Sequence, residues 1–511
     1  MPNKIRPMKR FDFLIKNSLK IGLVTVLFFT LTSCSITKRG YEINSAIMEN
    51  IDPTQFDVEI DSIPFSSESM VVKWWQEFND PVLDSLIERA RYHNKDVEIG
   101  ISNYYAARAM LKSDKFDKFP EVTAFGGFTR TRLGENIFVP GLNPIYSQYD
   151  ALFRANWELD FFGRVSNRVK GSFANQQAAE AELQNTYVLI FAEVARNYIE
   201  WLGAKKRLEV AQRNLEDQRN AYELTVNLSD VGKSNTLDVS RVSAQLENTK
   251  ATIPSLKAQI EILKNSLCTL LGVLPGEIDA LLMEKKELPA LPRTIPDGDI
   301  YEALGRRPDI RMAENLVRVQ IAQYNISVAE LYPKITFNGN VGLSVIDLSS
   351  FGKKESFTWT LFPSISWAAF NLGKVKQNID KEDAETLAAL GNYEKTVLEA
   401  LEEIRNDIVS FNYELERQQY LATSFEASKN AVDLAQQRYK AGLDSFIDFL
   451  GTNGALLSSE NELALSETAT FSAFIKIYKS LGGGWQHITE EELKTNYQRI
   501  KNTHEDTTKS N

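Results

Sequence analysis

Few residues of this 511-residue chain are of the types that carry out chemistry, and they do not converge. The three histidines, His93, His487 and His504, stand far apart. That spacing excludes a histidine-rich metal cluster and leaves a histidine-dependent hydrolase few candidates. Of the two cysteines, Cys34 and Cys268, the second falls in the apolar run Leu267-Cys268-Thr269-Leu270-Leu271 and reads as a buried thiol. Glu402 and Glu403 read as solvated carboxylates on a helix face, not as an acid–base pair. Gly482-Gly483-Gly484 lacks the preceding strand and the following Lys-Ser/Thr of a phosphate loop. With no nucleophile, base or metal set, neither catalysis nor a bound cofactor or metal is expected.

Cys34 is the residue with chemistry to explain. Lys4, Arg6, Lys9, Arg10, Lys16 and Lys20 precede an apolar stretch of eleven residues, Ile21 to Leu31. A bilayer span needs roughly 20, so residues 1–33 read as a cleavable export signal. Leu31-Thr32-Ser33-Cys34 resembles the bacterial lipobox, in which the cysteine becomes the lipid-carrying first residue of the mature chain. Ser35 is not the aspartate that holds many such lipoproteins in the inner membrane. Cleavage removes six basic residues and Asp12, leaving 52 Lys/Arg against 67 Asp/Glu, a net charge of −15. An acidic protein outside the cytoplasm is a poor binder of nucleic acid.

The elements that position everything else come in two copies. A shift of 210 residues lays Trp157 on Trp367, Gly163 on Gly373, Gly232 on Gly442, Asp238 on Asp448 and Gly272 on Gly482. A shift of 213 lays Pro120 on Pro333 and Asp96 on Asp309. A period this long makes each copy a large supersecondary unit and not one turn of a solenoid. Repeat 1 spans 93–275 and repeat 2 spans 306–485, after an N-terminal segment at 34–92. A Pro-rich connector at 276–305 separates them, and a polar tail without an apolar stripe, expected to be mobile, closes the chain at 486–511.

Each copy starts with a helical stretch ending at a proline, after which the hydrophobic period changes to two. Strands are expected near 121–132 and 147–160 and near 334–346 and 356–367. One face is apolar, as in Ile335, Phe337, Val341 and Leu343, while the other is polar and carries Asp150, Arg154 and Glu158. Such alternation fits a sheet with one face on a soluble core, or a membrane barrel with lipid outside and water inside. Aromatics toward strand ends (Trp157, Trp359, Trp367), charge on the polar face and the export leader favour the barrel. Four strands cannot close a barrel, and lipid tolerates no open edge, so the barrel reading predicts an oligomer.

Long helices follow in each copy, 164–228 with 235–271 and 374–440 with 445–481. About 65 residues at 1.5 Å each make a rod of roughly 100 Å. Apolar residues three and four apart, such as Val194, Tyr198, Trp201 and Leu202, require helical neighbours. The turns at Gly232 and Gly442 reverse the chain.

Five motifs in order now carry a resemblance. They are Trp74-Trp75 with Phe78, Asp80-Pro81, Leu83 and Leu86-Ile87; Trp157-Glu158 through Phe161-Phe162-Gly163; Arg306-Arg307-Pro308-Asp309-Ile310-Arg311; Tyr439 with Gly442; and Leu481-Gly482-Gly483-Gly484-Trp485. The chain resembles the TolC-like outer-membrane efflux factors, in the lipoprotein branch typified by OprM and NodT. The resemblance implies a mainly α fold with membrane β. It implies a homotrimer with a 12-stranded outer-membrane barrel, four strands per chain, continued by a 12-helix periplasmic α-barrel. It implies an exit duct without catalytic activity, with a periplasmic adaptor and an inner-membrane transporter of the resistance-nodulation-division type as partners.

The resemblance also places the adaptor-contact tips at Gly232, Lys233, Gly442, Leu443 and Ser445, and a closing constriction at Asp448. Members of the family commonly carry a second acidic residue one helical turn on, where this chain has Gly451. The competing reading of Asp448 is a helix-capping aspartate. Small-molecule efflux, a type I protein-secretion channel and a non-conducting periplasmic scaffold are the functions in competition. Lipidation favours the first, and the amphipathic strands argue against the last.

Overall fold

The computed structural model describes residues 65–66, 72–134, 136, 143–232, 234–283, 287–292, 295–296, 300–441 and 443–509. All belong to the unit spanning residues 44–511. Cys34, Lys233 and Gly442 lie outside the described residues, as does the leader.

Helix α1 (Pro81–His93) starts where the Asp80 carboxylate accepts the N–H groups of Val82 and Leu83, with proline in the first helical position. Asn94 ends it and caps α2 (Lys95–Phe116) in the same way. Past Pro120 the chain extends into β1 (Glu121–Arg132) and β2 (Ile145–Leu159). Helix α3 (Arg164–Asp230) then runs for 67 residues and returns as α4 (Thr236–Leu270), which continues through Pro254. Between the repeats, Ile295–Pro296 pairs in parallel with Phe65–Ser66, and a short helix, α5 (Ile300–Arg306), already occupies the last part of the segment read as connector.

The second copy repeats the first. It consists of α6 (Pro308–Ala329), β3 (Lys334–Val345), β4 (Phe357–Ser366), α7 (Leu372–Lys440) and α8 (Phe446–Ser480). Helices α2 and α6 have 22 residues each, β1 and β3 have 12 each, and α4 and α8 have 35 each. The four strands form one antiparallel sheet in the order β1-β2-β3-β4. Helix α3 packs between α4 and α8, and α8 packs between α3 and α7. The four long helices therefore lie side by side as α4-α3-α8-α7, with α4 and α7 at the outer edges.

The C-terminal tail departs from the sequence reading. Residues 490–509 form a helix, α9 (Glu490–Lys509), with Leu493, Asn496 and Ile500 buried. It rests on α2, where Tyr497 stacks on Tyr105 at 4.1 Å between centroids, Arg108 pairs with Glu490 and Arg499 with Glu98. Leu493, Tyr497 and Ile500 are a stripe at helical spacing, short enough to vanish among charged neighbours. The motif Thr489-Glu490-Glu491-Glu492 is a capping box that marks its start, with the Thr489 N–H donating to Glu492 and the Glu492 N–H to Thr489.

Candidate functional site

Three regions could carry function, and the sheet is the first. Register puts Ala124, Phe153, Val341 and Trp359 in one row, and Val122, Ala155, Gly339 and Leu361 in the next. That face is apolar and uncovered in the single chain, with Phe153 60%, Leu361 56% and Trp359 67% exposed. A soluble domain would bury such a surface, so its exposure points to lipid.

The opposite face carries Thr123, Arg154, Asn340 and Thr360 in one row. Side-chain hydrogen bonds lace it: Asn338 donates to Thr336 and Ser364, and Gln148 donates to Asp150 and Ser344. The alternation is imperfect, because Phe125, Leu152 and Phe362 also stand on this face.

At the helical end of the sheet the two copies use the same device. The Trp157 indole N–H donates to the Lys118 carbonyl at 3.1 Å, and that of Trp367 donates to Leu331 at 2.9 Å. Each ties the end of one strand to the turn that feeds its neighbour, so these two rings are positioned at the strand–helix junction. Trp359 stands elsewhere, the third residue from the loop end of β4. The Asp160 carboxylate caps α3 through the N–H groups of Val165 and Ser166, and Arg164 pairs with Glu158, which Lys334 also reaches at 3.2 Å.

The second region is the far end of the long helices. Gly232 takes φ +74°, a left-handed conformation that lets α3 stop and reverse. Asn235 caps α4 by accepting the Asp238 N–H, and Asp238 itself is buried. Its copy, Asp448, is exposed and belongs to a capping box: the Ser445 hydroxyl accepts the Asp448 N–H, while the Asp448 carboxylate accepts from the Ser445 N–H at 3.3 Å and hydroxyl at 2.6 Å. Leu443 is 69% exposed at the same turn.

Sequence reasoning missed two features here. Arg438 holds Asp444 with two hydrogen bonds of 2.6 and 2.8 Å across the turn. An apolar cluster of Ala221, Tyr222, Val242, Tyr439, Phe449 and Leu450 then joins the ends of all four helices, with Tyr439 stacked on Phe449. The recognisable Tyr439 is thus a packing residue.

The third region is the belt where three of the five motifs meet. Trp74 stacks on Tyr478, Trp75 sets its edge against Phe191, and Arg311 lies over the Trp485 ring. Arg307 is buried, and its guanidinium donates to Asp309, Glu403 and the Ser480 carbonyl. Glu403, read from sequence as a solvated carboxylate, is therefore a half-buried partner of a buried guanidinium. Burial alone would raise its carboxyl, but hydrogen bonds from Lys479 and Arg307 hold it below its ordinary value.

His487 packs against Trp75 and Phe191. Burial, with Arg91 and Lys73 nearby, lowers its imidazole to about 4. The folded chain keeps this ring neutral where the unfolded chain takes up a proton. Its contribution to stability is complete above about pH 6.5 and is lost as the pH falls from there toward about 4. We expect His487→Phe to narrow the gap in melting temperature between about pH 7.5 and about pH 5; a gap as wide as that of the parent would discount the imidazole.

A sheet apolar on one side and polar on the other, open at both edges among the described residues and continued by paired helical rods, defines a wall segment of a transmembrane duct. The chain belongs to the outer membrane efflux protein family, whose profile matches residues 86–273 and a second time residues 300–483. It is 29% identical to the toluene efflux pump outer membrane protein TtgC of Pseudomonas putida over 81% of this chain and 86% of that one. The outer-membrane channel OprN superposes with a TM-score of 0.80 at 35% identity, covering 85% of this chain and 96% of that one. The open-state MtrE channel of Neisseria gonorrhoeae superposes with a TM-score of 0.71 at 25% identity, covering 84% and 98%. The two family matches coincide with the two internal copies. The chain is an outer-membrane efflux channel with the TolC-like fold.

Proposed function

We propose that three copies of this chain close into one exit duct, β1 of each joining β4 of the next and α4 of each joining α7 of the next. The observation that carries this is the sheet, four strands with both edges unpaired among the described residues and an apolar face uncovered. Twelve strands close the barrel and remove every edge from lipid. The long helices also leave apolar side chains uncovered in the single chain, among them Leu237 and Ile262 on α4, Leu387, Leu398 and Leu434 on α7, and Phe173, Leu189 and Leu224 on α3. Acyl chains on Cys34 add an anchor in the outer membrane.

The turns at Gly232 and Lys233 and at Gly442, Leu443 and Ser445 are the surface for a periplasmic adaptor, which connects the duct to a proton-driven inner-membrane transporter. Small organic molecules are the cargo, in line with the toluene pump of the relative. A photo-crosslinking residue at Leu443, whose side chain is exposed while that of Ser445 is engaged in its cap, tests the partner in living cells. Capture of an adaptor encoded with a proton-driven exporter supports the proposal. Capture of a secretion adaptor moves the duct to protein export.

Asp448 supplies one ring of three carboxylates at the constriction. Because its carboxylate also closes the capping box of α8, alanine changes two things at once, whereas Asp448→Asn keeps hydrogen-bonding capacity and removes only the charge. We expect both substitutions to raise the open fraction of single channels in a planar bilayer, and Asp448→Ala also to destabilise the start of α8 by about 0.3–1 kcal/mol, the worth of an acidic side chain in the first turn. An unchanged closed fraction in Asp448→Asn removes the carboxylate from the gate.

A further inference from the structure

The polar face of the sheet carries one patch of different character. Phe125 of β1 and Leu152 of β2 stand opposite each other in register, and Arg154 follows on the same face, opposite Thr123. The central carbon of the Arg154 guanidinium lies 3.4 Å from the centre of the Phe125 ring. The ring in turn lies down over Gly127, where a β-carbon would come within 2.7 Å of two ring carbons. Glycine at 127 therefore lets the ring lie against the wall and leaves its outer face for the guanidinium. Phe125 is half-buried by this arrangement and Arg154 stays exposed.

The carboxylates of the same face are engaged elsewhere or stand apart. Glu158 is held by Arg164 and Lys334, and Asp150 accepts from the Gln148 amide at 3.0 and 3.1 Å. Glu121 stands in the next row, opposite Asn156. Among the described residues Arg154 forms no ion pair, and the ring of Phe125 lies beneath it.

A guanidinium spread on an aromatic ring has given up much of its conformational freedom while its N–H groups still point outward around the plane. That edge matches a carboxylate or sulfonate in two-point geometry. Phe125 and Leu152 beside it offer apolar surface, and arginine rings in pores favour anions. We propose that Arg154, seated on Phe125, is a binding station in the barrel lumen for aromatic organic anions leaving the duct. The proposal rests on the barrel reading above, which makes this face the lumen.

The test uses the full-length protein in planar bilayers, with potassium chloride conductance recorded first and 1-naphthoate then added on the loop side of the barrel. Naphthoate should interrupt the parent current, whereas acetate at the same concentration should not. Arg154→Gln should raise the half-blocking concentration by about tenfold, the worth of one charge-assisted contact. Arg154→Lys keeps the charge without the planar fork and should fall between the two, and Phe125→Leu should weaken block with chloride conductance intact. Equal block of the parent and Arg154→Gln, or no block of the parent, overturns the station while the conductance still supports the duct. A protein that forms no channel overturns the duct and the station together.

Discussion

Replacing Arg307 by methionine should lower the unfolding free energy by about 3 kcal/mol, the lower end of the cost of breaking a buried pair, because here the guanidinium is buried and its carboxylates are only partly so. The side chain is 9% exposed and donates to Asp309, Glu403 and the Ser480 carbonyl. Its loss leaves that carbonyl, at the end of α8, without this donor and strips Glu403 of one of its two cations. Lys479, 2.9 Å from Glu403, remains, which is why the cost stays at the lower end. Denaturant unfolding of the detergent-solubilised protein, read by tryptophan fluorescence, measures the loss. The mechanism predicts partial recovery when Glu403→Gln is added, because the second change removes the charge left short of a partner. Strict additivity of the two losses would show that shape and not charge dominates at this junction.

Trp75→Ala should cost about 3–5 kcal/mol, as expected for emptying a large ring from a close-packed core. Trp75 is 1% exposed, with its ring 5.1 Å from Phe191, 5.6 Å from His487 and 5.8 Å from Trp74. The residues around it come from sequence positions spread over most of the chain, so the cavity cannot close by moving a single segment. Far-UV circular dichroism through a denaturant titration gives the magnitude without relying on the deleted fluorophore. A loss below about 1 kcal/mol would mean that the belt rearranges to fill the space.

The elements that repeat were legible because each copy corroborates the other. Alternation marked β1 to β4, and the two glycine turns separated the long helices, since period and turn chemistry are local properties of sequence. What stayed hidden depends on distant partners. Arg307 was visible only as part of a motif, because Glu403 and Ser480 lie 96 and 173 residues away from it. Helix α9 was read as a mobile tail, because its three apolar residues have value only against α2, at the other end of the chain. Asp238 and Asp448 occupy equivalent sequence positions, yet the first is buried and the second exposed. Equivalence in the repeat fixes the turn that holds each residue and leaves its neighbours undetermined. Arg154 drew notice as a charge on the polar face, but its seat on Phe125 depends on register, which alternation alone does not supply.

The matched lengths of α4 and α8, 35 residues each, make the two hairpins rulers of each other. One residue added to a single hairpin would turn its far end by about 100° and lift it by about 1.5 Å, pulling the shared apolar cluster apart. The reach of the duct can therefore change only by paired insertions or deletions, made in step in both halves and in multiples near a heptad, so that each stripe returns to the same side. The two copies in one chain are in this way kept coupled, and the reach of the duct is set by one number and not two.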